Sequence, residues 1–132
     1  MLRFDHMPSD FNPMFLFLGD SRDLSALAGL LRAFAQAPRE LDVGEQLCAR
    51  SRSRLMIVPI AAEGGAFGLR PAARHGFQWG LNAWQAEQIA ARIERLTPVK
   101  SGSDIIELGV EGEIPVKVSR GEFTDDFLIS KR

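Results

Sequence analysis

Residues 14–36, MFLFLGDSRDLSALAGLLRAFAQ, contain the pattern that decides the fold. The apolar run Met14–Leu18 predicts a buried strand, because it is short and a turn signal follows it. Either Asp20 or Ser21 can accept hydrogen bonds from the free amides of a first helical turn, so we expect a helix over residues 21–36. Its apolar side chains recur at helical spacing and form one stripe: Leu24, Leu27, Ala28, Leu31, Phe34 and Ala35.

A second stretch, residues 77–96, repeats this pattern. Apolar and polar or small residues alternate over 77–82, as in a half-buried strand, and Asn82 is placed to cap a helix near residues 83–97. The equivalent residues of the two stretches share one fixed offset: Phe17 with Trp79, Asp20 with Asn82, Leu27 with Ile89, and Leu31 with Ile93. This match indicates either an old duplication or the general similarity of any strand that precedes a capped amphipathic helix.

Several further segments predict short strands. Leu41–Val43 is one, and Arg54–Ala62 is a second, with Ala66–Arg70 as its hairpin partner after a glycine-rich turn. A C-terminal hairpin is expected from Ile106–Val110, a turn at Glu111-Gly112, and a returning strand from Ile114 to Val118. Pro59 and Pro115 each remove a ladder donor, which favours an edge or a bulge for their strands.

These elements together predict an α+β fold. We expect a mostly antiparallel sheet with both amphipathic helices packed on one face, with two β-α-β-type repeats as one way of arranging it. The chain of 132 residues suits one domain. We therefore predict an N-terminal lead-in over residues 1–13 and a single domain over residues 14–132.

The composition of the chain argues against several classes of function. The formal net charge of −1 provides no whole-molecule attraction to nucleic acid or to an anionic membrane. Cys48 is the only cysteine, which excludes an intramolecular disulfide and fits a reducing compartment. The N-terminus lacks a continuous apolar core, and the longest uncharged apolar run, Leu55–Ala62, is far shorter than a membrane span. A cytoplasmic protein without a cofactor is expected.

Catalytic motifs are scarce. The chain contains no GxSxG, no HExxH, no Walker loop and no pair of CxxC motifs. The histidines are His6 and His75, and no carboxylate stands at a diagnostic spacing from His75. A small enzyme or ligand-binding domain with a cleft near His75 and the arginines Arg50, Arg52 and Arg54 is therefore the alternative, because sites are also assembled from residues distant in sequence.

Three arginines alternate with serines: Arg50, Arg52 and Arg54. In an extended chain their guanidinium groups share one face, which suits a phosphate or an acidic partner. The same pattern is typical of a solvated outer strand face that resists edge-to-edge association. A strand of this kind lacks the interleaved aromatics of single-stranded nucleic-acid binding.

Apolar residues outside the helical stripes indicate an interaction surface. Trp84 lies on the polar face of the second helix, together with Glu87, Gln88, Ala91 and Arg95. Phe123 and Phe127 add apolar surface to the C-terminal segment. Tryptophan is enriched at interfaces, so a protein partner or a homodimer is expected through Trp84 or through residues 122–129.

Two stretches carry a resemblance to other proteins. Phe15–Asp20 followed by Leu24–Leu31 resembles the opening of small bacterial proteins of unknown or toxin-immunity type. Glu113–Phe123 resembles the closing strand segment of similar proteins. The resemblance covers under a fifth of the chain and implies a binding role, without site residues. The sequence as a whole thus predicts a non-enzymatic protein that acts through protein–protein contact.

Overall fold

The computed structural model describes residues 1–8, 13–61, 67–72 and 76–121. These residues form two four-stranded mixed sheets and three helices, so the predicted α+β class is confirmed. The elements follow in this order: β1 (Arg3–Met7), β2 (Met14–Leu18), α1 (Ser21–Gln36), β3 (Leu41–Asp42), α2 (Val43–Leu47), β4 (Arg54–Pro59), β5 (Gly68–Pro71), β6 (Gly76–Leu81), α3 (Ala83–Glu94), β7 (Gly102–Ile106) and β8 (Val116–Arg120).

Both long helices begin at the predicted capping residues. Asp20 accepts a hydrogen bond from the Asp23 amide at 2.9 Å, and the Asp23 carboxylate accepts one from the Asp20 amide at 3.0 Å. Asn82 and Gln85 make the same reciprocal pair at 2.7 and 2.9 Å. Each capping box satisfies two amides that the first helical turn leaves without a partner, which fixes where the helix begins.

The helices bury the predicted apolar stripes and pack on each other in one core with both sheets. The fully buried side chains of α1 include Leu24, Leu27 and Leu31, and those of α3 include Ala90 and Ile93. The two-helix packing expected from the sequence is therefore present.

The strands form two sheets where one mostly antiparallel sheet was expected. Sheet A has the order β1-β2-β8-β7 and sheet B the order β3-β4-β6-β5. In each sheet the central pair, β2 with β8 or β4 with β6, is parallel and the outer pairs are antiparallel. The central partners are far apart in sequence, so the local turn signals that predict hairpins do not report their pairing.

One predicted hairpin is wrong and one is confirmed with shifted strands. β5 pairs with β6 and not with β4; β4 lies inside sheet B, with Pro59 as its last residue. The C-terminal hairpin pairs β7 with β8. Its first strand ends at Ile106, because the amides of residues 108–110 donate to the Glu113 carboxylate and leave the ladder.

The expected lead-in over residues 1–13 is wrong for its first part, because Arg3–Met7 forms β1 against β2. Leu2 and Phe4 are buried in the core. The polar residue Asp5 obscured this strand in the sequence. It is buried at 4% exposure and accepts hydrogen bonds from the Ser53 hydroxyl at 2.7 Å and from a backbone amide at 2.8 Å.

The two halves of the chain, residues 3–59 and 68–120, share one order of elements. Each has two strands, a long helix and two more strands, with α2 as an addition in the first half. Each sheet combines the first strand pair of one half with the last strand pair of the other. The repeat is thus larger than a β-α-β unit, and its strands are exchanged between the halves.

Equivalent residues of the halves meet each other. Phe17 stacks on Trp79 with ring centroids 5.8 Å apart, and Phe15 contacts Phe77 edge-on at 5.2 Å. On the helices, Arg32 donates to its equivalent Glu94 at 3.0 Å. In a symmetric dimer, equivalent positions of the two subunits meet at the two-fold axis. The two halves of this chain contact each other in the same way.

Candidate functional site

Trp84 is the second residue of α3 and is 69% exposed. The opposite side of this helix is buried through residues 86, 89, 90 and 93. The helical period therefore directs the indole away from the core. The expectation that Trp84 lies off the apolar stripe is confirmed; its role in an interface stays a prediction.

The first half offers a direct comparison for Trp84. The equivalent position of α1, at the offset that relates Asp20 to Asn82, is Arg22, which is also exposed. Both positions lie inside the same capping box geometry. The fold therefore accepts a cation at this position and does not require an aromatic ring.

The other residues on the outward side of α3 are small or polar. Gln88 and Arg95 are exposed, and Ala91 is partly exposed. Glu87 is held by Arg32 in an ion pair that links α3 to α1. Trp84 is thus an exposed aromatic side chain in the first turn of α3, and tryptophan is enriched among the residues that dominate binding free energy at interfaces.

The edge strand β7 lies beside the same helix. Arg92 of α3 donates to Asp104 at 2.7 and 2.9 Å and to the Ile105 carbonyl at 2.8 Å. These contacts tie the guanidinium of α3 to β7, the last strand of sheet A among the described residues. Ile105, 51% exposed, is a second exposed apolar side chain of this region.

The three arginines of the predicted stripe are all exposed, but the segment is not one extended strand. The Ser51 hydroxyl accepts from the Ser53 amide and donates to the Ser53 carbonyl, which bends the chain between Arg50 and Arg54. Arg54 begins β4 and pairs with Asp42 at 3.2 Å. A shared anion site for Arg50, Arg52 and Arg54 stays a prediction.

Three other predicted site residues lie outside the described residues: His75, Phe123 and Phe127. The other histidine, His6, packs against Phe77 with ring centroids 4.9 Å apart. Partial burial lowers the pKa of His6, and the nearby Asp5 carboxylate opposes this effect. Cys48 is exposed and ends α2 in a left-handed conformation with φ of 51°.

Comparison with known proteins assigns no family: no family model, curated protein or solved structure matches the chain. Within the described ranges, no three or more His, Cys, Asp or Glu side chains are grouped so that they could hold a metal ion. None of the helices in that part of the chain is long and apolar enough to cross a bilayer.

Sequence reasoning missed one group of residues that the fold brings together. Arg3, Lys100 and Arg120 line one cavity at the end of sheet A. They come from β1, from the segment after α3 and from β8, and no spacing in the sequence connects them. Knowledge that β2 pairs with β8 would have been needed to find them.

Proposed function

We propose that this protein is a non-enzymatic binding domain that acts through contact with another protein, in the manner of the immunity-type proteins that its sequence resembles. Trp84 is the centre of the proposed contact surface. The observation that carries the proposal is the exposed indole at a position where the other half of the same fold has Arg22. Burial of an aromatic side chain of about 150–250 Å² is a strong source of binding free energy.

A partner of different sequence is favoured over a second copy. The apolar faces of α1 and α3 are already buried against each other inside one chain, and equivalent aromatic residues meet across this internal interface. The two-fold contact that a half-chain would need is therefore already made. A homodimer through Trp84 is the alternative outcome of the test.

The experiment uses three purified forms: the natural chain, Trp84→Arg and Arg22→Ala. Trp84→Arg gives the second half the residue of the first, so the variant is expected to fold. Each form is immobilised and exposed to a mixture of cellular proteins. The candidate partners are the proteins retained by the natural chain and by Arg22→Ala, but not by Trp84→Arg. Each is then purified and titrated, and we expect Trp84→Arg to raise Kd by at least about 30-fold, equivalent to about 2 kcal/mol.

Two results decide against the proposal. A partner bound with equal affinity by Trp84→Arg would show that the indole is not the contact. A concentration-dependent dimer in sedimentation, lost on Trp84→Arg, would assign the surface to self-association.

A further inference from the structure

The contact between the two halves of the chain is of the kind that joins separate subunits. The parallel pairs β2 with β8 and β4 with β6 each bring one strand of the first half beside one strand of the second. The helices α1 and α3 pack on each other across the same boundary. Backbone pairing and a shared apolar core thus hold the halves together, and neither requires that both halves belong to one chain.

The outer strands, by contrast, are completed within each half. The Arg50 amide donates to the Leu2 carbonyl at 2.9 Å, beside β1 of the same half. In the second half, the Ile114 amide donates to the Leu69 carbonyl of β5 at 2.8 Å. A half therefore keeps these contacts of its own whichever copy supplies the other half.

One ion pair discriminates between the halves. Arg32 of α1 donates to the Glu94 carboxylate of α3 at 3.0 Å, and these residues hold equivalent positions in the two helices. Two first halves would place Arg32 against a second Arg32, and two second halves would place Glu94 against a second Glu94. Like charges in contact disfavour such pairs. The interface therefore fits a first half to a second half.

The connection between the halves, residues 60–67, is long enough to reach another copy. β4 and β5 lie on either side of β6, where the register places Pro59 beside Leu81 and Gly68 beside Gly80. The two strand ends are thus separated by two strand spacings, about 10 Å. A connection of this length spans about 30 Å when it is extended.

We propose that a second copy of this chain is a partner for this interface. Two copies exchange halves, so that the first half of each packs on the second half of the other. Such an exchange is a low-cost route to a dimer because it makes the contacts of the monomer again. Joined halves have an effective concentration in the millimolar range, so exchange competes when the chain concentration approaches it. The exchange leaves Trp84 exposed in both units and is independent of the surface around it.

The first test refolds the full chain from urea at about 10 µM and at about 1 mM, on either side of the concentration at which exchange should compete. Sedimentation then measures the dimer fraction. We expect a monomer at the lower concentration and a dimer at the higher one. The dimer should persist for about an hour or more after dilution, because its separation requires the core to open. Trp84→Arg should form the same dimer.

Charge reversal shows which surface forms the dimer. Arg32→Glu and Glu94→Arg each leave like charges at the helix contact, both in the monomer and in a dimer of that variant alone. A mixed dimer of the two variants restores opposite charges at both of its helix contacts. A preference of about threefold per contact would make mixed dimers about 90% of the total after joint refolding, against about half for statistical pairing. Isotope labelling of one variant lets native mass spectrometry distinguish the species.

The matched control is Arg92→Glu with Asp104→Arg. These residues form an ion pair inside the second half, so exchange of halves gives neither of them a new partner. Their mixed dimers should stay at about half of the total, as statistical pairing requires. The side chains of Arg32 and Glu94 are more than one third exposed, so both reversal variants are expected to fold, and urea unfolding of each verifies this.

Three outcomes would overturn the proposal. A chain that stays monomeric after refolding at about 1 mM does not exchange its halves. Statistical pairing of Arg32→Glu with Glu94→Arg, as in the control, would place the dimer contact on another surface. A dimer that is lost on Trp84→Arg would belong to the surface around that indole.

Discussion

The first and second halves of the chain build the same arrangement of strands and helix with different side chains. They agree where the backbone needs a particular group: a side-chain cap at Asp20 and Asn82, and aromatic residues where β2 and β6 meet. They differ at Arg22 and Trp84, and at the carboxyl ends of their parallel strand pairs. The shared positions are those at which the fold requires a particular side chain. At the differing positions the fold accepts different side chains, so a function can determine the residue there.

The exchange of strands also distinguishes this molecule from two linked domains. Sheet A needs β1 and β2 from the first half and β7 and β8 from the second. Sheet B needs β3 and β4 from the first half and β5 and β6 from the second. Neither half can complete a sheet alone. The halves are therefore expected to unfold together in one cooperative transition.

The largest expected losses of stability come from substitutions in the apolar stripes of α1 and α3. Leu27→Ala and Ile93→Ala each remove a fully buried side chain, one from each half, and each should lower the free energy of unfolding by about 2–5 kcal/mol. Ile105→Ala, at a half-exposed position, is the control and should cost far less. Urea unfolding with two probes checks this, and separate transitions for the two halves would contradict the exchanged topology.

The capping residues test whether the halves are equivalent in energy as well as in geometry. Asp20→Ala and Asn82→Ala each remove one capping box and should each cost about 1 kcal/mol. Thermal or urea unfolding measures both. A cost confined to one variant would mean that the other helix is held by packing alone.

His6 gives the first half a pH-dependent contribution to stability that the second half lacks at the equivalent position. The register places it beside Phe15, and the equivalent place beside Phe77 holds Pro71, which does not titrate. Burial lowers the pKa of His6 in the folded chain, so the unfolded chain binds the proton first as the pH falls below about 6.5. Stability should decrease from there down to the lowered pKa and then level off. His6→Gln should flatten that slope in unfolding measurements; an unchanged slope would assign the effect to other groups.

Local chemistry accounts for what the sequence predicted well. The caps at Asp20 and Asn82 and the two helical stripes depend on residues within a few positions of each other, and all are confirmed. The pairing of β2 with β8 depends on burial across the whole chain, so it could not be predicted. The same limit explains why the exposure of Trp84 was predictable from helical periodicity, whereas the cavity of Arg3, Lys100 and Arg120 was not.

The smallest stability effect comes from exchanging the residues that distinguish the two helix faces. The double variant Arg22→Trp with Trp84→Arg moves the indole to the equivalent place on the other half. Both positions are exposed in the second position of a capped helix, so the free energy of unfolding should change by less than about 0.5 kcal/mol.

Partner binding, by contrast, should be lost, because the residues around Arg22 differ from those around Trp84. Retained binding would mean that the partner recognises the repeated fold itself, and a large loss of stability would mean that Trp84 has a structural role that Arg22 does not share. Urea unfolding and a binding titration on the same preparation separate these outcomes.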